Sequence, residues 1–373
     1  MTEALTTAWE WITRAHGHLL IVDQVVIALA VVAFLARHRI RRWLQSHEAI
    51  SRGFSSPFVR ALLALGLIML LGCRFNADGA FFHWSTHRDM FRSYSFFGIL
   101  ACGMTVVILT AGIDLSVGSI LGFVGVVFAH MAIRWQWSGW LAIPLCLAIG
   151  AALGAVSGAL IARFRMQPFI ATLAMMVFAR GLARYVTSNY KIGRNVILPD
   201  NTPFRYPNPP VFDLLDSKIL WDNVHFSTLV MLGCFALTWI LLTRLRVGRH
   251  IYAIGGNEEA ARLSGVPTAA VKVFVYALCG LFCAVAGICF TGQATQGDPD
   301  AGFTYELTAI AMVVIGGTSL MGGRGGIGLT FLGVLIFGYL DKILSINGQG
   351  TEIRFMFTGL IIVIAVLLQR GEK

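Results

Sequence analysis

The amino-acid sequence predicts an all-α polytopic membrane protein, in which hydrophobic helices cross a bilayer many times. The chain has 373 residues, of which 57% are hydrophobic and only 13% are charged. Its mean hydropathy is +0.73. Soluble domains carry about 25% charged residues, so a soluble core could not enclose this much apolar sequence. Apolar runs close to the length that spans a hydrocarbon core as a helix, about 17–25 residues, recur along the chain.

Eleven of these runs are predicted to be membrane-spanning helices. They lie at residues 19–35, 58–72, 95–110, 117–133, 140–162, 169–186, 226–243, 271–290, 304–319, 327–344 and 355–368. The first run does not have the charge pattern of a signal peptide, because Glu3 and Glu10 precede it and its main basic cluster follows it.

The basic residues predict membrane topology rather than a nucleic-acid partner. The formal net charge is +10, but the lysines and arginines lie mainly in short clusters between apolar runs. More of them fall in the loops that become cytoplasmic if the amino terminus is outside and the carboxyl terminus is inside, which favours that orientation.

The seven cysteines lie in or at the ends of apolar segments, and core packing is their expected role. No metal site is predicted.

Two loops are longer than a turn. Residues 187–225 contain five prolines and are expected to form an extended, poorly helical surface outside the membrane. Residues 244–272 are expected inside. There, Asn257 is a natural helix N-cap, Glu258 and Glu259 suit the first turn, and Gly265 followed by Pro267 ends the helix. This loop is therefore predicted to carry a short, capped amphipathic helix.

An acid stands within apolar sequence at Asp114, flanked by Gly112, Ser116 and Gly118. A charge at the bilayer centre costs at least about 2.5 kcal/mol on insertion scales, so this acid needs a partner or a function. It either faces a polar pathway or caps a helix that begins near Leu115. The capping and gating role is favoured, since a helix N-terminus favours an anion.

A second glycine-rich segment follows at residues 316–326. It does not match a phosphate-binding loop, because Gly-x4-Gly-Lys-Ser/Thr occurs nowhere in the chain. It is either an internal-repeat counterpart of residues 112–118 or a set of packing glycines, and the two interpretations remain equal.

Arg180 and Arg184 share a helix face. Glu306 is a candidate to neutralise one of them, and snorkelling of Arg184 to the outer interface is the alternative.

Three segments, residues 103–119, 252–265 and 302–326, resemble in order and spacing the bacterial ABC permeases for monosaccharides, of the ribose/xylose/galactofuranose type. The resemblance covers residues 58–370. It implies a ten-span ABC importer permease core in residues 58–373, with one extra amino-terminal helix and a basic linker in residues 1–57. The chain departs from the family at Thr308, where Asp is common, and at Asp341 and Lys342, where paired Asn is common.

The resemblance implies a transmembrane subunit of an ATP-driven sugar importer in the bacterial inner membrane. Its implied partners are a cytoplasmic ABC ATPase, a periplasmic sugar-binding protein, a second permease subunit (an identical copy or a paralogue), the sugar and membrane lipid. This chain is then not an enzyme and holds no cofactor, since ATP and Mg belong to the ATPase.

Two sets of site residues follow. The candidate translocation path or gate consists of Thr110, Asp114, Ser116, Glu306, Gly316 and Gly317. The candidate ATPase-coupling set consists of Gly256, Asn257, Glu258, Glu259, Ala260, Ala261, Arg262 and Gly265. The alternative function is an ion-gradient-driven secondary transporter, which would not need the 252–265 segment. An intramembrane enzyme is a distant third, because no catalytic motif falls in a span.

Overall fold

The structure is a computed structural model that describes residues 56–197, 200–354 and 356–360. The predicted span at residues 19–35, nearly all of the amino-terminal extension 1–57 and most of the span at 355–368 lie outside the described residues.

Twelve α-helices and four short strands are defined within the described ranges. The helices are α1 Pro57–Arg74, α2 Trp84–Leu109, α3 Val117–Ala129, α4 Gly139–Arg163, α5 Pro168–Thr187, α6 Pro210–Asp216, α7 Phe226–Arg244, α8 Arg246–Gly256, α9 Glu258–Leu263, α10 Thr268–Ala294, α11 Tyr305–Gly316 and α12 Ile327–Ile346. A 3-10 turn at Ala80–Phe82 precedes α2, and a π-helical turn at His130–Arg134 extends α3. Residues 351–354 and 356–360 are also helical.

Eight helices in the described part are long and apolar enough to cross a membrane, and they match predicted runs. The fold class is therefore confirmed. Two boundaries were predicted wrongly. The helix expected from residue 95 begins at Trp84, because its polar first turns are held by contacts such as the ion pair of Arg92 with Asp216. The span expected at 304–319 is helical only over Tyr305–Gly316, because Thr304 and Gly317 have φ values of 67° and 108°.

Helix α10 lies at the centre of the bundle and packs along α4, α2 and α3. Glycines allow the close contact with α4: Gly150 and Gly154 lie against the backbone of Gly280, so a side chain there would meet main-chain atoms. The core is formed largely by α2, whose residues from Ile99 to Leu109 are fully buried. Helices α11 and α12 form a second closely packed pair, with Gly333 against the carbonyl of Met312.

The long loop between α5 and α7 is more ordered than predicted. Antiparallel hairpins form between β1 (Asn195–Ile197) and β2 (Pro203–Arg205), and between β3 (Lys218–Ile219) and β4 (Val224–His225). Between them stands α6, which was not expected in proline-rich sequence. Its Pro210 occupies the first turn, where no amide donor is needed. Phe212 and Leu215, 1% and 4% exposed, share one face and pack into the bundle, which explains why the segment is helical.

Candidate functional site

Asp114 lies in a break between two helices and is fully buried. Helix α2 ends at Leu109, Ala111 takes a left-handed conformation with φ 59°, and α3 begins at Val117. The Asp114 Oδ1 accepts hydrogen bonds from the Ser116 amide at 2.8 Å and the Ser116 hydroxyl at 2.5 Å. Asp114 therefore fixes the turn before α3. The helix predicted to begin near Leu115 begins at Val117, and Asp114 accepts the hydrogen bonds of Ser116, the residue just before it.

The bend that contains Asp114 is anchored on both sides. Thr110 Oγ1 donates to the Val107 carbonyl at 2.8 Å, and Thr172 Oγ1 of α5 donates to the Ile113 carbonyl at 3.3 Å. Tyr276 of α10 lies beneath Gly112, so closely that a methyl group there would overlap its hydroxyl. Because Tyr276 is eight residues into α10, the bend lies about 12 Å along that helix from its first residue. Asp114 is thus nearer one end of the bundle than its middle.

That end, which we call the coupling end, is where three glycine-rich segments meet. The Gly323 amide donates to the Leu109 carbonyl at 3.0 Å, and Gly255 packs against that same carbonyl. Gly322 lies against Ala111. The three segments whose sequences resemble sugar permeases therefore meet at one point, the contact of the Leu109 carbonyl with Gly255 and Gly323. Sequence reasoning missed this convergence, although the shared density of glycine was its signal.

Two hydrogen-bonded arrangements hold the loop after α11 at the coupling end. Tyr252 of α8 donates its hydroxyl to the Gly325 carbonyl at 3.0 Å. Thr318, which is fully buried, accepts a hydrogen bond from the Gly326 amide at 3.3 Å. Gly316 ends α11 against the carbonyl of Leu329, and Gly317 turns the chain with φ 108°. The two predicted gate glycines therefore allow the chain to turn after α11 while its backbone packs closely against α12.

The predicted short helix in the 244–272 loop is confirmed as α9. Asn257 Oδ1 accepts a hydrogen bond from the Ala260 amide at 3.0 Å, as an N-cap should. Gly265 follows with φ 84°. Within α9, Arg262 pairs with Glu259 at 2.6 Å, and this hydrogen bond lowers the pKa of the Glu259 carboxyl.

Two further features of the 244–272 loop were not predicted. Helix α8 precedes α9, and the Lys272 ammonium of α10 lies 2.6 Å from Glu258. Helix α9 is thereby tied to α10 by a charge contact outside its own backbone. Ala261 faces inward with 6% exposure, whereas Glu258, Glu259, Ala260 and Arg262 are exposed. The exposed face of α9 is available to a partner.

The predicted gate acid Glu306 lies apart from Asp114, at the start of α11. It forms no direct ion pair with Arg180 or Arg184 within the described ranges, but it lies near enough to Arg180 for their charges to attract, so the expected neutralisation of one arginine is present only at longer range. Arg180 instead donates to the carbonyls of Pro299 and Ala301, at 2.7 and 2.6 Å. Arg184 pairs with Asp300 at 2.8 Å. The guanidinium of Arg180 satisfies loop carbonyls that water would otherwise satisfy.

The loop between α10 and α11 runs beside α3 and touches it through main-chain atoms. Gly302 has φ 78° and lies against Gly118, so a Cβ on either residue would overlap the other's backbone. A Cβ on Gly118 would also be 2.9 Å from the Glu306 carboxylate. Gly118, next to the Asp114 bend, therefore links the candidate gate residues of α3 and α11.

An open cavity of about 320 Å³ lies at the coupling end. It separates the bend at Thr110 and Gly112 from Asn257 and Glu258 of the α9 segment, and Lys272 and Tyr276 are among its other lining residues. In the described ranges, no group of three His, Cys, Asp or Glu side chains could hold a metal ion.

Comparison with known proteins decides the family of this chain. Residues 89–366 match the family described as the branched-chain amino acid transport system / permease component. The chain belongs to this permease family. It is 40% identical over 310 residues to the ribose import permease protein of Escherichia coli, covering 83% of this chain and 93% of that protein. It is 32% identical over 314 residues to the fructose import permease protein of Rhizobium meliloti, covering 84% and 83%.

A third relative, an inner membrane ABC transporter permease protein of Escherichia coli, is 37% identical over 286 residues, covering 74% of this chain and 81% of that protein. No solved structure matches the chain significantly. Family membership confirms the prediction of a multi-pass permease subunit, a transport component rather than an enzyme.

Proposed function

We propose that this permease forms the translocation path of an ATP-driven monosaccharide importer. The relatives named as ribose and fructose import permeases support a sugar substrate. The observation that carries the mechanism is the shared contact of Gly255, Leu109 and Gly323. A partner that moved α9 would act on the end of α2 just before the Asp114 bend, because Gly255 of α8 lies two residues before Asn257, the α9 N-cap.

The proposed partners follow from this mechanism. A cytoplasmic ABC ATPase docks on the coupling set, Gly256, Asn257, Glu258, Glu259, Ala260, Ala261, Arg262 and Gly265. A periplasmic binding protein delivers the sugar, and a second permease, identical or paralogous, completes the path. ATP and Mg bind the ATPase, and this chain holds neither. Residues 58–373 form the permease domain, and residues 1–57 are an addition to it.

The proposed gate comprises Thr110, Asp114, Ser116, Glu306, Gly316 and Gly317. Asp114, Ser116 and Thr110 hold the break between α2 and α3, and Gly316 and Gly317 hold the end of α11. Glu306 lies close to Gly118 on the other side of α3's first turn. ATP-driven movement of α9 shifts the bend between two conformations. Alternating access then corresponds to a two-state equilibrium between these conformations of the permease.

The proposed orientation places the amino terminus outside and the carboxyl terminus and α9 in the cytoplasm of the bacterial inner membrane. Single cysteines at Glu258 and Tyr206, in a cysteine-free background, test it. Glu258 should react with impermeant maleimide only after the cytoplasmic side is opened, and Tyr206 should react in intact cells. Reaction of Glu258 from outside would contradict both the orientation and ATPase docking.

Co-purification with an ATPase tests the function itself. Replacing Glu258 and Gly265 together should abolish uptake and weaken ATPase co-purification, while membrane insertion stays normal. Asp213→Asn on the opposite loop is the matched control and should leave ATPase binding unchanged, since Asp213 bonds Asn208 locally. Sugar accumulation by the purified permease alone, along a proton or sodium gradient, would instead establish a secondary transporter.

A further inference from the structure

One face of α10 connects the α9 segment to the Asp114 bend. Lys272 and Tyr276 are four residues apart and therefore lie on the same side of the helix. The Lys272 side chain, 17% exposed, reaches Glu258 of α9 at 2.6 Å. Tyr276, one turn further on and 1% exposed, lies beneath Gly112. Through Lys272 and Tyr276, this face of α10 therefore contacts α9 at one position and the Asp114 bend at the other.

Two buried oxygen atoms in this region, Asp114 Oδ2 and the Tyr276 hydroxyl, lack a hydrogen-bond partner of normal geometry, and the thiol of Cys279, a weak donor, also faces Asp114. The other carboxylate oxygen of Asp114 is already used by Ser116. Asp114 and Tyr276 are near enough to interact electrostatically. A phenol donates and a carboxylate accepts, so the two groups are complementary. Since unpartnered buried polar atoms are unfavourable, a conformation in which these two bond would be stabilised.

The cavity at the coupling end provides space for such a change. It lies between the bend at Gly112 and the α9 segment at Asn257, and both Lys272 and Tyr276 line it. Close-packed interiors resist small displacements, but this boundary is open. The α9 segment and the bend can therefore change their relative position across this cavity, and the packed contact of Gly112 with Tyr276 must shift with them.

We propose that Lys272 and Tyr276 are positioning residues that transmit movement of α9 to the gate. Lys272 couples α10 to α9 through Glu258. In the second conformation, the Tyr276 hydroxyl donates a hydrogen bond to Asp114 Oδ2 and holds the bend in its other arrangement. This proposal rests on the proposed function, because it requires an ATPase that moves α9.

The test measures sugar uptake per ATP hydrolysed, in proteoliposomes that contain the permease with its ATPase and binding protein. Tyr276→Phe should lower this ratio about two- to tenfold, the range that loss of one hydrogen bond produces in a conformational equilibrium. ATPase co-purification should stay at the wild-type level. Tyr190→Phe, which removes a hydroxyl from a residue that is 77% exposed, is the matched control and should not change the ratio.

Lys272→Gln should lower the ratio in the same way, and Lys272→Arg, which keeps the charge, should restore most of it. Asp114→Asn tests whether the hydroxyl acts through Asp114. The Asp114→Asn and Tyr276→Phe double variant should lose no more than either single variant, because both remove the same hydrogen bond.

The outcomes separate this proposal from the proposed function. If the wild-type complex imports sugar with ATP but Tyr276→Phe and Lys272→Gln keep its full ratio, the transmission role is wrong and the importer stands. Additive losses in the double variant would also overturn it. If the wild-type permease binds no ATPase, the proposed function itself fails. Lys272 is partly exposed, so its variants test the role independently of any change at the buried Tyr276.

Discussion

The contact between Gly112 and Tyr276 predicts a pair of substitutions in which the second repairs the first. An alanine methyl group at Gly112 would overlap the Tyr276 hydroxyl oxygen, while its next neighbours, Val107 Cγ1 and Tyr276 Cζ, would lie 3.3 and 3.4 Å away. Gly112→Ala should therefore destabilise the protein by about 1–3 kcal/mol, the usual cost of overpacking a core.

Tyr276→Phe removes the overlapping oxygen and leaves contacts of 3.3 Å or more. In the Phe background, Gly112→Ala should cost less than about 1 kcal/mol, since the one tight contact left, 3.3 Å to Val107 Cγ1, needs a shift of only a few tenths of an ångström. Tyr276→Phe alone should be neutral or stabilising, because the lost hydroxyl is buried without a partner.

The assay is apparent Tm in detergent, followed by fluorescence-detected size exclusion at one heating rate, since membrane proteins commonly unfold irreversibly. Gly66→Ala, at a glycine whose Cβ would meet nothing within 4 Å, is the control and should leave Tm near wild type. An equal fall in Tm for Gly112→Ala with either Tyr or Phe at 276 would refute the reasoning.

Three further predictions follow from the structure. Gly255→Ala would place a methyl group on the Leu109 carbonyl and should cost about 3 kcal/mol or more. The monodisperse peak in size exclusion should then be lost. The control Gly256→Ala, whose Cβ would meet nothing within 4 Å, should fold normally. Asp300→Asn breaks an exposed ion pair and should cost about 0.2–1 kcal/mol; a Tm fall as large as that of Gly255→Ala would contradict this. Burial lowers the pKa of His225 from 6.5, so its stabilising contribution is present above pH 6.5 and is lost as the pH falls through the folded pKa. The wild-type Tm should therefore fall more than that of His225→Phe between pH 7 and pH 5, and parallel falls would count against it.

The sequence was most informative where hydrophobic length or local capping decides the structure. Helix α3 begins at Val117 as its apolar run does, and α9 is capped by Asn257 as predicted. Both are local consequences of residue type. The start of α2 at Trp84 could not be predicted, because its polar first turns are held by Asp216, more than a hundred residues away.

The candidate site was less predictable, because its geometry depends on contacts between distant segments. Arg184 has Asp300 as partner rather than Glu306, and Arg180 serves backbone carbonyls. No periodicity shows which acid a loop will bring near a given arginine. Similarly, Asp341 stood beside Lys342 in the sequence, but its carboxylate pairs with Arg354, 2.5 Å away. Adjacent residues on a helix do not face each other, so Lys342 is a poor partner for Asp341, but this rule does not identify Arg354.

The seam at Gly118 and Gly302 has a mechanical consequence. Interfaces that interlock through side chains require rotamer changes before the two surfaces can slide. Where Gly118 and Gly302 meet, main-chain atoms pack against main-chain atoms. The contact therefore resists compression, but these two residues have no side chains that would interlock and oppose sliding. Small sliding movements of packed segments are one of the standard ways in which proteins change conformation. Resistance to sliding of the loop before α11 past α3 therefore comes from the hydrogen bonds of Arg180 to the Pro299 and Ala301 carbonyls and from the Arg184–Asp300 ion pair.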